Sequence, residues 1–197
     1  AGHRFRDGFF NLKVWMLGGI DFSILLSAYA MGFWMPTFIK NTGVHDISTI
    51  GMLTAIPSLA ALIGMLYLGA SSDRYRERRW HIIIPFIIGA IAMGASTFFT
   101  HNVFATVLLF SVAQFAIIGA VPVFFSLPGT FLQGTAAATG FALACSVANI
   151  AGLVSNSIMG LAMQYTGSGG DALWVFAVCL LLSCLLVIAL PAKLVNR

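Results

Sequence analysis

The chain has 197 residues, of which 59% are hydrophobic and 8% are charged, and its mean hydropathy is +0.96. Soluble domains are about 45–50% apolar and about 25% charged, so this composition excludes a water-soluble globular domain and indicates a membrane protein. The formal charge of +4 does not indicate nucleic-acid binding, because no basic patch is interleaved with aromatic residues. The three cysteines lie in apolar runs, which predicts reduced thiols.

Apolar runs long enough to cross a bilayer recur along the chain, separated by turn residues. A membrane helix needs about 20 mostly apolar residues. Six runs meet this requirement: Val14–Phe38, Ile47–Ala70, His81–Phe99, Val103–Ser126, Thr135–Tyr165 and Ala172–Leu190. The sequence therefore predicts an all-α membrane protein. We expect a six-helix transmembrane domain over 14–192, a cytoplasmic end of a longer loop over 1–13 and a cytoplasmic tail over 193–197.

Basic residues are distributed unevenly between the two sides of these spans. Lys40 is alone on one side, and the others share the opposite side: Arg4, Arg6, Lys13, Arg74, Arg76, Arg78, Arg79, Lys193 and Arg197. The positive-inside rule makes the basic side cytoplasmic, so both ends of this segment are expected in the cytoplasm. The chain does not begin with Met, and we expect it to be a piece of a longer polypeptide.

Small residues and prolines give individual spans different characters. The fifth span has a small residue at every fourth position: Ala136, Gly140, Ala144, Ala148 and Gly152. Such a stripe allows close approach of a neighbouring helix, which predicts a central, packed helix. Pro57, Pro85 and Pro122 lie inside spans two to four, where proline frees carbonyl groups and permits kinks.

Motifs for catalysis, pores or metal binding are missing from the sequence. All four histidines lie at or outside the ends of the spans, so a buried nucleophile would have no base. The sequence contains no paired Asn-Pro-Ala and no Thr-Val-Gly-Tyr-Gly. No His or Cys pair has metal-ligand spacing. We therefore expect neither an enzyme nor a bound metal or cofactor.

The connection after the second span carries charges that the orientation rule alone does not require. It reads Gly69-Ala-Ser-Ser-Asp73-Arg74-Tyr-Arg76-Glu77-Arg78-Arg79-Trp80-His81. This run resembles a loop motif of the major facilitator superfamily, Gly-x-x-x-Asp-Arg-x-Gly-x-Arg-Arg, with Arg76 in the usual glycine position. The resemblance implies a conformational latch made by Asp73, Arg74, Arg78 and Arg79. A carboxylate here is suited to the positive N-terminus of the fifth span.

A second resemblance covers most of the remaining chain. Residues 122–152, 32–40 and 51–57 are similar to helices ten and eleven, seven, and eight of the anion:cation symporter family, whose members take up tartrate, phthalate, sugar acids and aromatic acids. It implies helices seven to twelve of a twelve-helix transporter, with the N-terminal six-helix half as partner. The expected function is alternating-access symport of a small organic anion with H⁺ across the cell membrane.

Several polar and aromatic residues are candidates for contact with a substrate. Asn149 matches an asparagine of the family's cavity and shares a helix face with Ser146 and Asn156; bonding between helices is the alternative role for all three. The remaining candidates are Phe124, Phe125, Ser126 and Tyr29, and Trp34 is either a pathway residue or an interface anchor. Asp21, the acidic residue well inside a span, is expected to have a structural or mouth-lining role in a polar pathway, with proton coupling as the alternative.

Two other functions are compatible with the pattern. One is an efflux antiporter for amphipathic compounds, and the other is a non-transporting six-helix module that acts as a homodimer. No lysine or arginine lies in the middle of a span, so the counter-charge for an anionic substrate is expected from the other half of the transporter.

Overall fold

The computed structural model describes residues 12–128, 134–167 and 169–191, and within α6 it describes the side chains from residue 140 onward. The regular elements of these ranges are all α-helices. In chain order they are α1 (Leu12–Asn41), α2 (Ile47–Tyr75), α3 (Trp80–Ser96), α4 (Val103–Gly119), α5 (Val121–Ser126), α6 (Gly134–Thr166) and α7 (Gly170–Ala189). Most of the predicted cytoplasmic end and tail, 1–11 and 192–197, lies outside the described residues.

The predicted spans correspond to these helices. Five spans are long and apolar enough to cross a membrane, with α4 and α5 counted together, and α3 is a shorter apolar helix of 17 residues. About 17 residues is the lower end of the range for a membrane helix. The all-helical membrane fold is therefore confirmed, and the chain is a multi-pass membrane protein.

The fourth span is interrupted close to the proline that the sequence places inside it. The helix is interrupted at Ala120, between α4 and α5, and Pro122 lies in the first turn of α5. Proline is tolerated there because an N–H in the first turn has no partner within the helix. Pro122 thus lies inside the fourth span, as predicted, beside the interruption of the helix, and Pro57 and Pro85 are inside α2 and α3.

Side chains that precede two helices satisfy their first N–H groups. The Asp46 carboxylate accepts hydrogen bonds from the Thr49 N–H, at 2.8 Å, and from Thr49 Oγ1, at 2.6 Å, at the start of α2. These bonds favour the ionised form and lower the pKa of Asp46. Asn102 caps α4 in the same way, accepting from the Ala105 N–H at 3.0 Å.

The small residues Ala144, Ala148 and Gly152 of the α6 stripe pack on α1, and the two helices run parallel. The side chain of Ala136 lies outside the described residues. A Cβ placed on Gly18 would lie 3.5 Å from the Ala144 Cα, which is an ordinary contact distance. Further along both helices, the ring of Tyr29 lies against Gly152. Ala148 is fully buried between them. The predicted close packing is confirmed for this face, but the opposite face of α6 is exposed in this chain, so α6 is not central in the six-helix unit.

A second close contact joins α2 to α4. A Cβ on Gly64 would overlap the carbonyl oxygen of Phe115, and a Cβ on Gly119 would lie 2.8 Å from the Gly64 carbonyl carbon. Glycine is therefore required on both sides of this crossing. The main core lies between α1, α3, α4 and α7, where Phe86, Phe110 and Phe176 are fully buried. All three cysteines are free.

The glycine crossing yields a stability prediction. We expect Gly64→Ala to destabilise the protein by about 1–3 kcal/mol, because the added methyl group overlaps backbone atoms that cannot rotate away. Gly51→Ala on the same helix is the matched control, since its Cβ would meet nothing within 4 Å and alanine favours helix. The measurement is the apparent thermal unfolding midpoint of each purified variant. Equal midpoints for the two variants would contradict the close crossing.

Candidate functional site

The candidate site is an exposed strip along α1 and α6 where polar and aromatic side chains meet. The Tyr29 hydroxyl donates to Asn149 Oδ1 at 3.5 Å, and the Asn149 Nδ2 donates to the Cys145 carbonyl at 2.7 Å. Tyr29 is 41% exposed, and Asn149 is exposed as well. The hydrogen bond between the side chains is at the long limit of such bonds, so the Asn149 oxygen has capacity for a ligand.

Two further polar residues of α6 differ in exposure and in the number of hydrogen bonds that they make to other protein groups. Ser146 is exposed, and its hydroxyl donates to the Ala142 carbonyl at 2.7 Å. Asn156 is half-buried and accepts from the Trp34 Nε1 at 3.1 Å, while its Nδ2 donates to the Gly152 carbonyl at 3.0 Å. Asn156 and Trp34 therefore form an interhelical contact, and Ser146 and Asn149 are the more accessible pair.

The two aromatic candidates of α5 differ in how exposed their side chains are. Phe124 is 1% exposed and lies in the core, whereas Phe125 is 46% exposed. The Phe125 ring lies edge-on to Phe141 of α6, with 5.6 Å between ring centroids. Ser126 is half-buried and donates to the Val123 carbonyl at 2.6 Å. Burial removes Phe124 from the accessible surface in this conformation, so Phe125 is the aromatic residue of this pair that is positioned to contact a ligand.

Asp21 is enclosed in the contact between α1 and α6. Its exposed fraction is 2%, and its carboxyl group lies beside the Cys145 side chain of α6. The structure thus places Asp21 inside the helix interface and not on an open mouth of the pathway. A carboxyl group in this position links the two helices at the same level as the Gly18 contact.

A cleft between α1 and α2 continues the exposed strip. Its volume is about 530 Å³. The lining includes Gly32 and Pro36 of α1, Thr54 and Ser58 of α2, and Gln114 of α4. Gly32 follows Tyr29 by three residues and therefore lies on the same side of α1. Thr54, Ser58 and Gln114 add polar groups to a wall that is otherwise mostly apolar.

Gln114 is a polar residue of this surface that the sequence analysis did not identify. It is 8% exposed, in the middle of an apolar helix, and its side chain contributes to the wall of the cleft. An amide in the middle of a membrane span needs a polar partner or water, because hydrocarbon supplies neither. The sequence did contain a signal for this residue, because Gln114 is an uncharged amide far from the ends of an apolar span.

The connection between α2 and α3 contains a local hydrogen-bond network. Glu77 accepts from the Trp80 N–H at 2.9 Å, which caps α3, and pairs with the His81 Nδ1 at 3.0 Å. The His81 Nε2 lies 2.9 Å from the Ser71 hydroxyl on α2. The predicted motif did not assign a role to Glu77. In the structure, the hydrogen bonds of Glu77 join this connection to the first turn of α3.

The four residues predicted to form a latch lie in or beside this network. Asp73 and Arg74 are exposed, and Arg78 is half-buried. Arg79 donates to the Ile188 carbonyl of α7 and so ties the connection to the last helix. The His81 Nδ1 lies 3.0 Å from the Glu77 carboxylate, and Asp73 is not part of this contact. The latch therefore stays a prediction.

Ligand sites for a metal need several donors in one place. Within the described residues no three His, Cys, Asp or Glu side chains come together. The Asp21 and Cys145 contact supplies two such donors.

The known proteins that the chain resembles in sequence are named as transporters. No protein-family model matches the chain. It is 78% identical over 195 residues, 99% of its length, to "Putative metabolite transport protein NicT" of Pseudomonas putida, and it covers 45% of that protein. It is 35% identical to a "Quinolone resistance transporter" of Acinetobacter baumannii, over 92% of the chain and 42% of the relative. It is 30% identical to a "Putative tartrate transporter" of Agrobacterium vitis, over 96% and 42%.

These relatives, the helical fold and the loop motif define the class of protein. The chain is a multi-pass membrane protein that is homologous to transporters of the major facilitator superfamily, the family that the sequence motifs predict. It spans about 45% of the length of its relatives. The relatives are named as transporters and not as enzymes.

The two asparagines of α6 provide a matched test of the site. In the complete transporter, Asn149→Ala should raise the substrate concentration for half-maximal uptake about ten- to hundredfold, because a hydrogen bond to a charged ligand contributes about 1.5–3 kcal/mol. Asn156→Ala should lower the thermal unfolding midpoint and leave that concentration unchanged, because its amide bonds Trp34. An unaltered uptake curve for Asn149→Ala would assign this residue to helix packing.

Proposed function

We propose that the chain is the C-terminal six-helix half of a transporter that symports a small organic anion with H⁺ by alternating access. Its N-terminal six-helix half is the partner, and both ends of this segment face the cytoplasm at the cell membrane. Transporters of this class bind substrate near the bilayer midplane between two related halves. The extent of the match, about 45% of each relative, supports a half-transporter.

The observation that carries the proposal is the composition of the exposed strip. Tyr29 and Asn149 lie well inside helices that cross the membrane, and yet both are exposed. Amide and hydroxyl groups are costly in hydrocarbon without partners, so this face is suited to water, substrate or another protein surface. Few polar groups among aromatic walls, as with Phe125, are typical of small-molecule sites.

An organic anion as substrate is supported by the hydrogen-bonding groups and by the relatives. Hydroxyl and amide donors can bind carboxylate oxygens, and one of the relatives is named as a tartrate transporter. The middle of each span contains no lysine or arginine. The cation that balances the substrate charge therefore belongs to the other half in this proposal.

Proton coupling is assigned mainly to the other half as well. Asp21 is the acidic group well inside a span, and its carboxyl group is enclosed beside the Cys145 side chain. That setting favours a structural role at the α1 and α6 contact. For the cytoplasmic gate we propose the exposed Asp73, with Arg74 and Arg78 on the same connection, as one side of a latch between conformations.

Efflux of amphipathic compounds is the second candidate function. A specific observation favours it, namely 35% identity to a relative named as a quinolone resistance transporter. The exposed aromatic residues Tyr29, Phe33 and Phe125 would suit an amphipathic substrate. The two functions differ in the direction of transport relative to the proton gradient.

Uptake by the reconstituted complete transporter distinguishes these functions. Liposomes with an imposed pH gradient are given sugar acids, tartrate and aromatic carboxylates, with and without a protonophore. We expect one class of acid to accumulate only while the gradient exists, and the Asn149→Ala variant to require more of it. Extrusion of amphipathic dyes with no acid uptake would replace symport by efflux. Acid uptake that the protonophore does not change would contradict proton coupling.

A further inference from the structure

A groove of about 310 Å³ lies between α2, α3 and α4, near the connection between α2 and α3. Apolar atoms form nearly all of its wall, mainly from Tyr67, Ile84, Ile88 and Phe115. Trp80, together with Ser71 and His81, forms the end nearest the connection. The groove is thus apolar along its length and polar at one end.

This groove faces away from the proposed substrate pathway. Ser58 of α2 lines the cleft toward α1, and Tyr67 of the same helix lines the groove. The nine residues between them place the two side chains about 180° apart at roughly 100° per residue. The groove therefore opens on the lipid side of the helix, where Ile84 and Ile88 of α3 are also exposed.

Charge is distributed unevenly around the polar end of the groove. Arg74 is exposed and lies within about 20° of Tyr67 around α2, whereas Asp73 lies about 120° away. The Glu77 carboxylate is already engaged by His81 and by the Trp80 N–H. A positive charge thus stands above an apolar groove, and the nearby negative charges are turned away or paired.

We propose that this groove binds an anionic phospholipid, with an acyl chain between α2 and α3 and the headgroup phosphate held by Arg74. Exposed aromatic side chains such as Trp80 and Tyr67 are typical of the interface between headgroups and acyl chains. Basic sites beside membrane helices attract anionic headgroups on the cytoplasmic side. The proposal depends on the cytoplasmic orientation of this connection and is independent of the transported substrate.

The test measures lipid binding and not transport, so that its result is separate from the proposed function. The complete transporter is delipidated in detergent and titrated with phosphatidylglycerol or with phosphatidylcholine of the same acyl chains, and bound lipid is counted by native mass spectrometry. Arg74→Gln removes the proposed phosphate contact. Arg76→Gly is the matched control: it removes one positive charge from the same connection, at a residue whose left-handed backbone (φ of 50°) suits glycine.

Binding of phosphatidylglycerol is expected to be about fivefold tighter than binding of phosphatidylcholine, as one basic contact at a membrane surface would give. Arg74→Gln should remove this preference, and Arg76→Gly should retain it. Ile88→Trp, which fills the groove, should weaken binding of both lipids. Equal affinities for the two lipids in the unmodified protein, or equal losses in the two arginine variants, would overturn the proposal. Displacement of the lipid by glycerol phosphate alone would also overturn it, because the acyl chain would then contribute nothing.

Discussion

The close parallel contact of α1 with α6 is the constraint on which the candidate site depends. Gly18 approaches the backbone of Ala144, and small residues of α6 continue the contact along α1. Without a hydrophobic driving force between helices in lipid, such association relies on close packing and on hydrogen bonds across the interface. The contact buries Asp21 and leaves Tyr29 and Asn149 exposed on its edge. One interface thus determines both which acid is enclosed and which amide is accessible.

The second close helix contact in the fold is the glycine crossing between α2 and α4. Because Gly64 and Gly119 let these backbones approach, α2 is held through one face and exposes the rest of its surface. The exposed surface of α2 contributes to two different sites. The side toward α1 lines the cleft that includes Gln114, and the opposite side lines the apolar groove near Arg74. A single helix separates the proposed substrate pathway from the proposed lipid site.

Composition and spacing predict the membrane fold and much of the packing, because hydrocarbon demands long apolar helices and close packing demands small residues. The number of spans and the stripe at Ala144 and Ala148 follow from these rules. The burial of Phe124 and the exposure of its neighbour Phe125 do not follow from these rules. Both residues are phenylalanine, and their burial differs only because of the helices that pack around them. The Gly64 and Gly119 contact joins residues 55 positions apart, and no local pattern relates them. Gln114 was missed for a similar reason, since its importance depends on a cleft formed by α1 and α2.

The most direct test of this account is a cross-link between α1 and α6. A Cβ on Gly18 would lie 3.7 Å from the Ala144 Cβ, within the range of about 3.5–4.5 Å for a disulfide. The measurement uses Gly18→Cys with Ala144→Cys in the complete transporter, with Cys145→Ser to prevent mispairing. Gly18→Cys with Ile150→Cys, on an exposed face of α6, is the control pair. We expect mild oxidation to link the first pair and not the second, and the linked protein to keep its uptake, because α1 and α6 move together. Absence of the link, or loss of uptake on linking with recovery on reduction, would contradict it.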